Sequence, residues 1–212
     1  MNFQEEKSRL REAIAQRIAA MSERDRAAES RSVCRRIREE LRRVIPSSPR
    51  HQPKGVSRDN AGHAWDDIFI CGSIPLKTEV DILPLLKELH AEGYPVFLPR
   101  FEAGALTFRR AEDLSNLPKG ALNIPEPLAS AELLPTEARV IVLVPGRAFD
   151  LKGGRLGRGN GGYDRWIKFY RAQNPDAGFL GIGFECQIVR EIPLEEHDER
   201  VDSVITARGK MM

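Results

Sequence analysis

Six glycines fall between residues 153 and 162, at Gly153, Gly154, Gly157, Gly159, Gly161 and Gly162, and Arg155 and Arg158 are set among them. Glycine is costly in chain entropy, so this density marks backbone that must come close to something. Successive N–H groups without side chains converge on phosphate oxygens, and a helix opening just behind them adds its positive end. The two arginines supply fixed charge with forked donors that match phosphate geometry. Binding a phosphate-bearing ligand is the chemistry such a segment suits. We find no Ser/His/Asp constellation that would favour a nucleophilic mechanism instead.

Two named phosphate motifs compete for the segment. The Walker pattern GxxxxGK followed by Ser or Thr is absent. A dinucleotide fingerprint GxGxxG is literally present as Gly157, Gly159 and Gly162, with Glu185 following at nearly the usual distance. That makes an NAD- or FAD-binding protein the alternative. Dinucleotide folds place the fingerprint in the first strand–helix–strand unit, on a tight turn. Here it follows the third or fourth strand, on a longer stretch that carries two arginines.

The elements that must position this loop are legible in the hydrophobic rhythm. Leu10, Ile14, Ile18 and Met21 recur at helical spacing and predict a helix over about 4–21. Ser22 and Asp25 resemble a capping box opening a second helix, with Val33, Ile37, Leu41 and Val44 on one face and Pro46 as its stop. Residues 46–64 have three prolines, two glycines and no apolar rhythm, and predict an exposed loop. From Asp67 the pattern becomes α/β. Strands are expected at Ile68–Cys71, Pro95–Pro99, Ala105–Arg110, Arg139–Gly146 and Gly178–Phe184, with Val201–Thr206 closing the sheet and 139–146 at its centre. Helices are expected over Val80–Leu89, with Pro84 in the first turns, and from Asp164. The prediction is one domain over 1–212, a three-layer α/β/α fold with a mostly parallel central sheet and two extra N-terminal helices.

The 212 residues include 33 basic and 31 acidic side chains, and this near-neutral balance argues against a dedicated nucleic-acid binder. No apolar run approaches the length of a membrane span, and MNFQEEKSRLREAIAQR lacks the apolar stretch of a secretory signal. Cys34, Cys71 and Cys186 stand far apart, which suits a reducing compartment, so a cytoplasmic location is expected. The four histidines show no zinc spacing. A monomer is expected. The arginines between Arg31 and Arg43 alternate with Glu39 and Glu40 and read as a solvated helix face.

VPGRAFDLKGGRLGRGNGGYDRWI resembles the signature of the 5-formyltetrahydrofolate cyclo-ligase family, VPGxAFDxxGxRLGxGxGYYDR. KSRLR at Lys7–Arg11, TEVD at Thr78–Asp81, LPRF at Leu98–Phe101 and HDERVDSVIT at His197–Thr206 resemble further family stretches in the family's order. Two positions depart from the pattern. Gly162 replaces the first tyrosine of a Tyr-Tyr pair, leaving Tyr163, and Asn160 stands where lysine or glycine is common.

The resemblance implies an ATP-dependent conversion of 5-formyltetrahydrofolate to 5,10-methenyltetrahydrofolate, with a reduced folate and ATP as small-molecule substrates. It implies that Lys7 and Arg11, four residues apart on one helix face, reach the ATP phosphates. The ATP cradle would comprise Arg155, Leu156, Gly157, Arg158, Gly159, Asn160, Gly161, Gly162 and Tyr163, with Arg155 and Arg158 in catalysis. Ile74, Glu79 and Tyr163 would meet the folate, and Asp164 and Asp198 would hold Mg2+. Without the resemblance, Asp164 reads as a helix cap, Asp198 as a turn residue and Glu79 as the first-turn acid of a helix. A non-catalytic nucleotide or folate binder on the same fold is the second alternative.

Overall fold

The computed structural model describes residues 2–44, 68–120 and 123–211. The loop expected at 46–64 lies wholly outside the described residues. Helix α1 (Phe3–Ala20) is opened by the Asn2 side chain, which accepts from the Gln4 amide, and it buries Ile14 and Ile18. Helix α2 (Glu23–Val44) buries Val33, Ile37 and Leu41. The Ser22 hydroxyl accepts from the Asp25 amide at 3.1 Å, as a capping residue does.

Among the described residues, ten strands follow in chain order, interspersed with two more α-helices. They are β1 (Ile68–Cys71), β2 (Val96–Glu102), β3 (Ala105–Arg110), β4 (Arg139–Pro145), β5 (Ala148–Asp150), β6 (Arg155–Leu156), β7 (Gly178–Ile182), β8 (Ile188–Val189), β9 (Ser203–Thr206) and β10 (Gly209–Met211). Helix α3 (Leu83–Ala91) lies between β1 and β2, and α4 (Gly162–Gln173) between β6 and β7. The main sheet runs β10-β9-β7-β4-β1-β2-β3, with β4 at its centre as expected. Pairs β1–β2, β1–β4, β4–β7 and β7–β9 are parallel, and the two edge pairs are antiparallel. Side chains of β4 alternate between two cores. Ile141 and Leu143 join the apolar faces of α1, α2 and α3, whereas Val140, Val142 and Val144 join Trp166, Ile167 and Tyr170 of α4. The three-layer α/β/α arrangement is therefore present, with α1 and α2 on the same side as α3.

Three expectations are corrected. Residues 201–206 do not close the sheet, because β10 turns back antiparallel on β9 and becomes its edge. Helix α3 starts at Leu83 rather than Val80, because Pro84, lacking an N–H, occupies its first turn. Glu79 therefore sits in the turn before a helix, not in one. The glycine segment is not a plain loop either. Strands β5 and β6 form an antiparallel pair inside it, and β8 adds in parallel to make a small second sheet.

Candidate active site

The strand order reverses between β4 and β1. From β1 the chain moves to β2 on one side, and from β4 to β7 and β9 on the other. Such a switch point leaves a crevice at the carboxyl ends of the strands. Here it holds a cavity of about 420 Å3 whose walls include Ser73 and Ile74 after β1, Pro145 at the end of β4 with Gly146 after it, and Phe101 on β2. Leu76, Leu106, Ile124 and Pro125 make it largely apolar, and Glu79, Glu126, Arg155, Arg158 and Asp164 are its charged groups.

The glycine segment is folded around one carboxylate. Asp150 is 1% exposed and accepts from the amides of Lys152 and Gly154 through Oδ1 and from Ile192 through Oδ2, all at 2.8–2.9 Å. A side chain at Gly154 would collide with that carboxylate, its Cβ falling 2.4 Å from Oδ2. Past β6 the chain turns through Gly159 and Gly161, with φ of 102° and 63°, values that L side chains avoid. The Gly162 amide donates to Asn160 Oδ1, which gives Asn160 a capping role at the start of α4. Because a β-hairpin stands between β4 and α4, the tight strand-to-helix turn of a dinucleotide fingerprint is not formed.

Every expected site residue can now be placed. Arg155 is 3% exposed at its side chain and pairs with Asp164, Nη2 to Oδ1 at 2.7 Å, and its guanidinium lies 5.5 Å from the Tyr163 ring centroid. The Tyr163 hydroxyl is buried beside Ser73, and burial pushes its pKa up. Arg158 reaches across to Glu79, Nη2 to Oε1 at 2.8 Å, while Glu79 Oε2 accepts from the Leu76 amide at 3.0 Å. The loop arginine and the TEVD acid thus form one ion pair at the cavity rim. Leu156 is buried in β6. The space that a side chain at Gly162 would fill holds the Phe101 ring, 2.9 Å from the Cβ position. An aromatic group from β2 thus stands where the family pattern has tyrosine.

Lys7 and Arg11 do project from one face of α1. Arg11 Nε donates to the Gly157 carbonyl at 2.9 Å, tying the helix to the glycine segment. Lys7 is 4% exposed and sits between Asp198 Oδ2, at 2.5 Å, and Glu195 Oε2, at 2.8 Å. Burial opposes its charge, but the two carboxylates outweigh that and raise its pKa. Burial likewise works to raise Asp198, yet the Glu195 amide and Lys7 together hold its carboxyl below the ordinary aspartate value. The sign follows for stability. The Asp198 contribution is present above the ordinary value and is lost as pH falls from about 4 through the lowered folded value. Lys7 contributes below its ordinary value of about 10.4 and loses that contribution as pH rises beyond it. Thermal unfolding of wild type and Asp198→Asn should therefore differ most at neutral pH and converge towards pH 3; a gap unchanged over that range would refute the assignment.

The two expected metal carboxylates are neighbours through the chain, since the amide of Glu199, next to Asp198, donates to Asp164 Oδ1 at 3.3 Å. Glu195, His197 and Asp198 also bring ligand atoms within 4.8 Å of one another. The sequence reading missed Glu126 and Arg147. Arg147 donates to Thr78 Oγ1 at 3.3 Å, and burial followed by the charges of Arg158 and Arg11 lowers its pKa. Its position between the strand end and the glycines was the only signal for it. Glu126 offered less, as a lone acid between two prolines.

A parallel-sheet crevice lined by a glycine–arginine segment and an apolar wall defines an α/β protein with a ligand cleft at its switch point. Residues 62–207 match the 5-formyltetrahydrofolate cyclo-ligase family. The chain belongs to that family, and with it to the ligases. It is 28% identical over 205 residues to the 5-formyltetrahydrofolate cyclo-ligase of Mus musculus, covering 92% of this chain and 91% of that one. Against the Escherichia coli cyclo-ligase it is 35% identical over 132 residues, covering 60% and 71%. The NMR structure of Aquifex aeolicus 5,10-methenyltetrahydrofolate synthetase superposes with a TM-score of 0.71 at 27% identity, over 97% of this chain and 91% of that one. Among the described residues no helix is long and apolar enough to cross a membrane.

Proposed function

We propose that this chain closes 5-formyltetrahydrofolate to 5,10-methenyltetrahydrofolate with ATP, releasing ADP and phosphate. The observation that carries the reading is one cavity walled on one part by Ile74, Leu76, Phe101 and Leu106 and on another by Arg155 and Arg158. The apolar part suits a pterin and the cationic part a triphosphate. The formyl oxygen of an amide is a poor leaving group. Transfer of the γ-phosphoryl group to it releases ADP and gives an iminium phosphate; N10 attacks the carbon and loses its proton, and phosphate leaves.

The chain's own residues contribute position and charge. Arg155, held by Asp164, presents a fixed guanidinium where the transferring group gathers charge. Arg158 and Glu79 link the nucleotide and folate sides. Two of the three Lys7 N–H donors are engaged by carboxylates, which leaves one for a phosphate oxygen.

Asp164 and Asp198 fit a magnesium ion that arrives with nucleotide. Their hydrogen bonds fall on Asp164 Oδ1 and Asp198 Oδ2, so the second oxygen of each carries none among the described residues. Hard oxygen donors of this kind, one or two per ion together with phosphates, suit magnesium. Bound there, the ion would neutralise phosphate charge. Arg155 and Lys7 already compensate both carboxylates, so firm binding of magnesium alone is not expected.

Assay of the methenyl product by its near-ultraviolet absorbance should show formation only with both ATP and a divalent metal. Asp164→Asn and Asp198→Asn should each raise the magnesium needed for half-maximal rate, and the double variant should lose less than the product of the two effects. No product from folded protein would end the cyclo-ligase reading. An unchanged magnesium requirement would return Asp164 to the role of a partner for Arg155 alone.

A further inference from the structure

Three carboxylates line the cavity, and two of them already accept hydrogen bonds. Both oxygens of Glu79 accept hydrogen bonds, from Leu76 and Arg158. Asp164 accepts from Arg155 and the Glu199 amide. Glu126 differs. It is 6% exposed and accepts no hydrogen bond among the described residues, and its Oε2 is fully buried. Arg100 Nη1 stands 3.7 Å from Oε2, but that nitrogen donates to the Pro127 carbonyl at 2.8 Å. The charge of Glu126 is thus compensated while its acceptor positions stay empty. A buried acceptor left this way is costly, and native proteins rarely keep one without a reason.

The surroundings hold Glu126 in place. Its amide donates to the Pro118 carbonyl at 3.0 Å, and the Gly120 amide donates to Ile124 at 2.8 Å, so two extended stretches clasp each other. Any side chain at Gly120 would strike the carboxylate, because its Cβ would lie 2.3 Å from Glu126 Cδ and Oε2. The wall beside it is apolar, built from Pro99, Phe101, Leu106, Ile124 and Pro125. The cations Arg155 and Arg158 belong to the other part of the lining, on the segment after β4.

We infer that Glu126 is a specificity residue that accepts N–H donors from the 2-amino-pyrimidinone edge of the folate's pterin. A planar ring with an N–H edge meets both needs of this wall, apolar area for its face and a waiting acceptor for its edge. The inference rests on the cyclo-ligase reading. It adds a recognition point distinct from Glu79, whose two oxygens are engaged within the protein.

The experiment is equilibrium binding of 5-formyltetrahydrofolate and of its analogue lacking the 2-amino group, to wild type and to Glu126→Gln. Glutamine keeps the shape that Gly120 accommodates and exchanges one acceptor for a donor. Wild type should bind the analogue about tenfold or more weaker than the parent, as loss of a charged hydrogen bond implies. Glu126→Gln should lose a similar factor for the parent, keep its ATP affinity, and bind the analogue no worse than the parent, because the two changes remove one contact. The inference is overturned if wild type binds both ligands alike, a comparison that needs no variant. It is equally overturned if a folded Glu126→Gln binds the parent as wild type does, or if the two losses multiply. Failure of wild type to bind 5-formyltetrahydrofolate at all would instead bring down the cyclo-ligase reading, and the inference with it.

Discussion

Asp150→Ala is expected to lower the midpoint of thermal unfolding by about 10 °C and to abolish ligand binding by the glycine segment. Asp150 is 1% exposed and is the acceptor for three backbone amides, those of Lys152, Gly154 and Ile192. Orphaning a buried donor costs about 1–3 kcal/mol, so the buried Gly154 and Ile192 amides together give about 2–6 kcal/mol. In a protein of this size each kcal/mol moves the midpoint by about 2–4 °C. The damage is local as well. Lys152 and Gly154 lead directly into Arg155, and Ile192 adjoins the segment that carries Glu195 and Asp198. Losing their common anchor frees both ends of the candidate site. Asp150→Asn keeps one acceptor oxygen and should lose less. A midpoint within about 2 °C of wild type in the alanine variant would show that water replaces the carboxylate, and that the segment does not depend on it.

Arg155→Met is expected to reduce turnover by at least two orders of magnitude and also to destabilise the fold. The side chain is 3% exposed and its partner Asp164 11%. Methionine fills similar space, but it leaves a buried carboxylate whose remaining donor is the Glu199 amide at 3.3 Å. Breaking a buried pair in this way costs about 3–5 kcal/mol. The kinetic loss is separate, since removing one preorganised donor at a site of developing charge typically costs about 10²–10³ in kcat. Arg155→Lys separates the two effects. Lysine retains a cation for Asp164 and should recover much of the stability. It lacks the planar fork and so should leave turnover low. Wild-type turnover in Arg155→Lys would remove Arg155 from the chemistry and leave it a structural partner.

Much of the architecture was readable from residue types because the signals are local. Period-3.6 apolar spacing at Ile14 and Ile18, and at Val33, Ile37 and Leu41, specifies which face of α1 and α2 is buried, whatever they pack against. The short, valine- and isoleucine-rich run 140–144 suits a strand covered on both faces, and β4 lies at the centre of the sheet. Where the readings slipped, a non-local partner decided. Residues 203–206 became interior because β10 turned back on them, and the glycine segment acquired two short strands because β8 pairs with β5.

The sequence by itself determined the family of this protein and its three-layer fold, and it singled out the glycines and arginines suited to phosphate, since glycine density, arginine type and strand patterning are properties of adjacent positions. Which charge answers which was decided only by the tertiary structure. Lys7 and Asp198 stand 191 positions apart, and Arg158 and Glu79 are separated by 79. Glu126 reads as a lone acid between prolines until β2 and the Gly120 stretch close around it and remove its water. A carboxylate's role depends on which donors and how much solvent remain to it, and both are set by chain closure over long separations rather than by residue type.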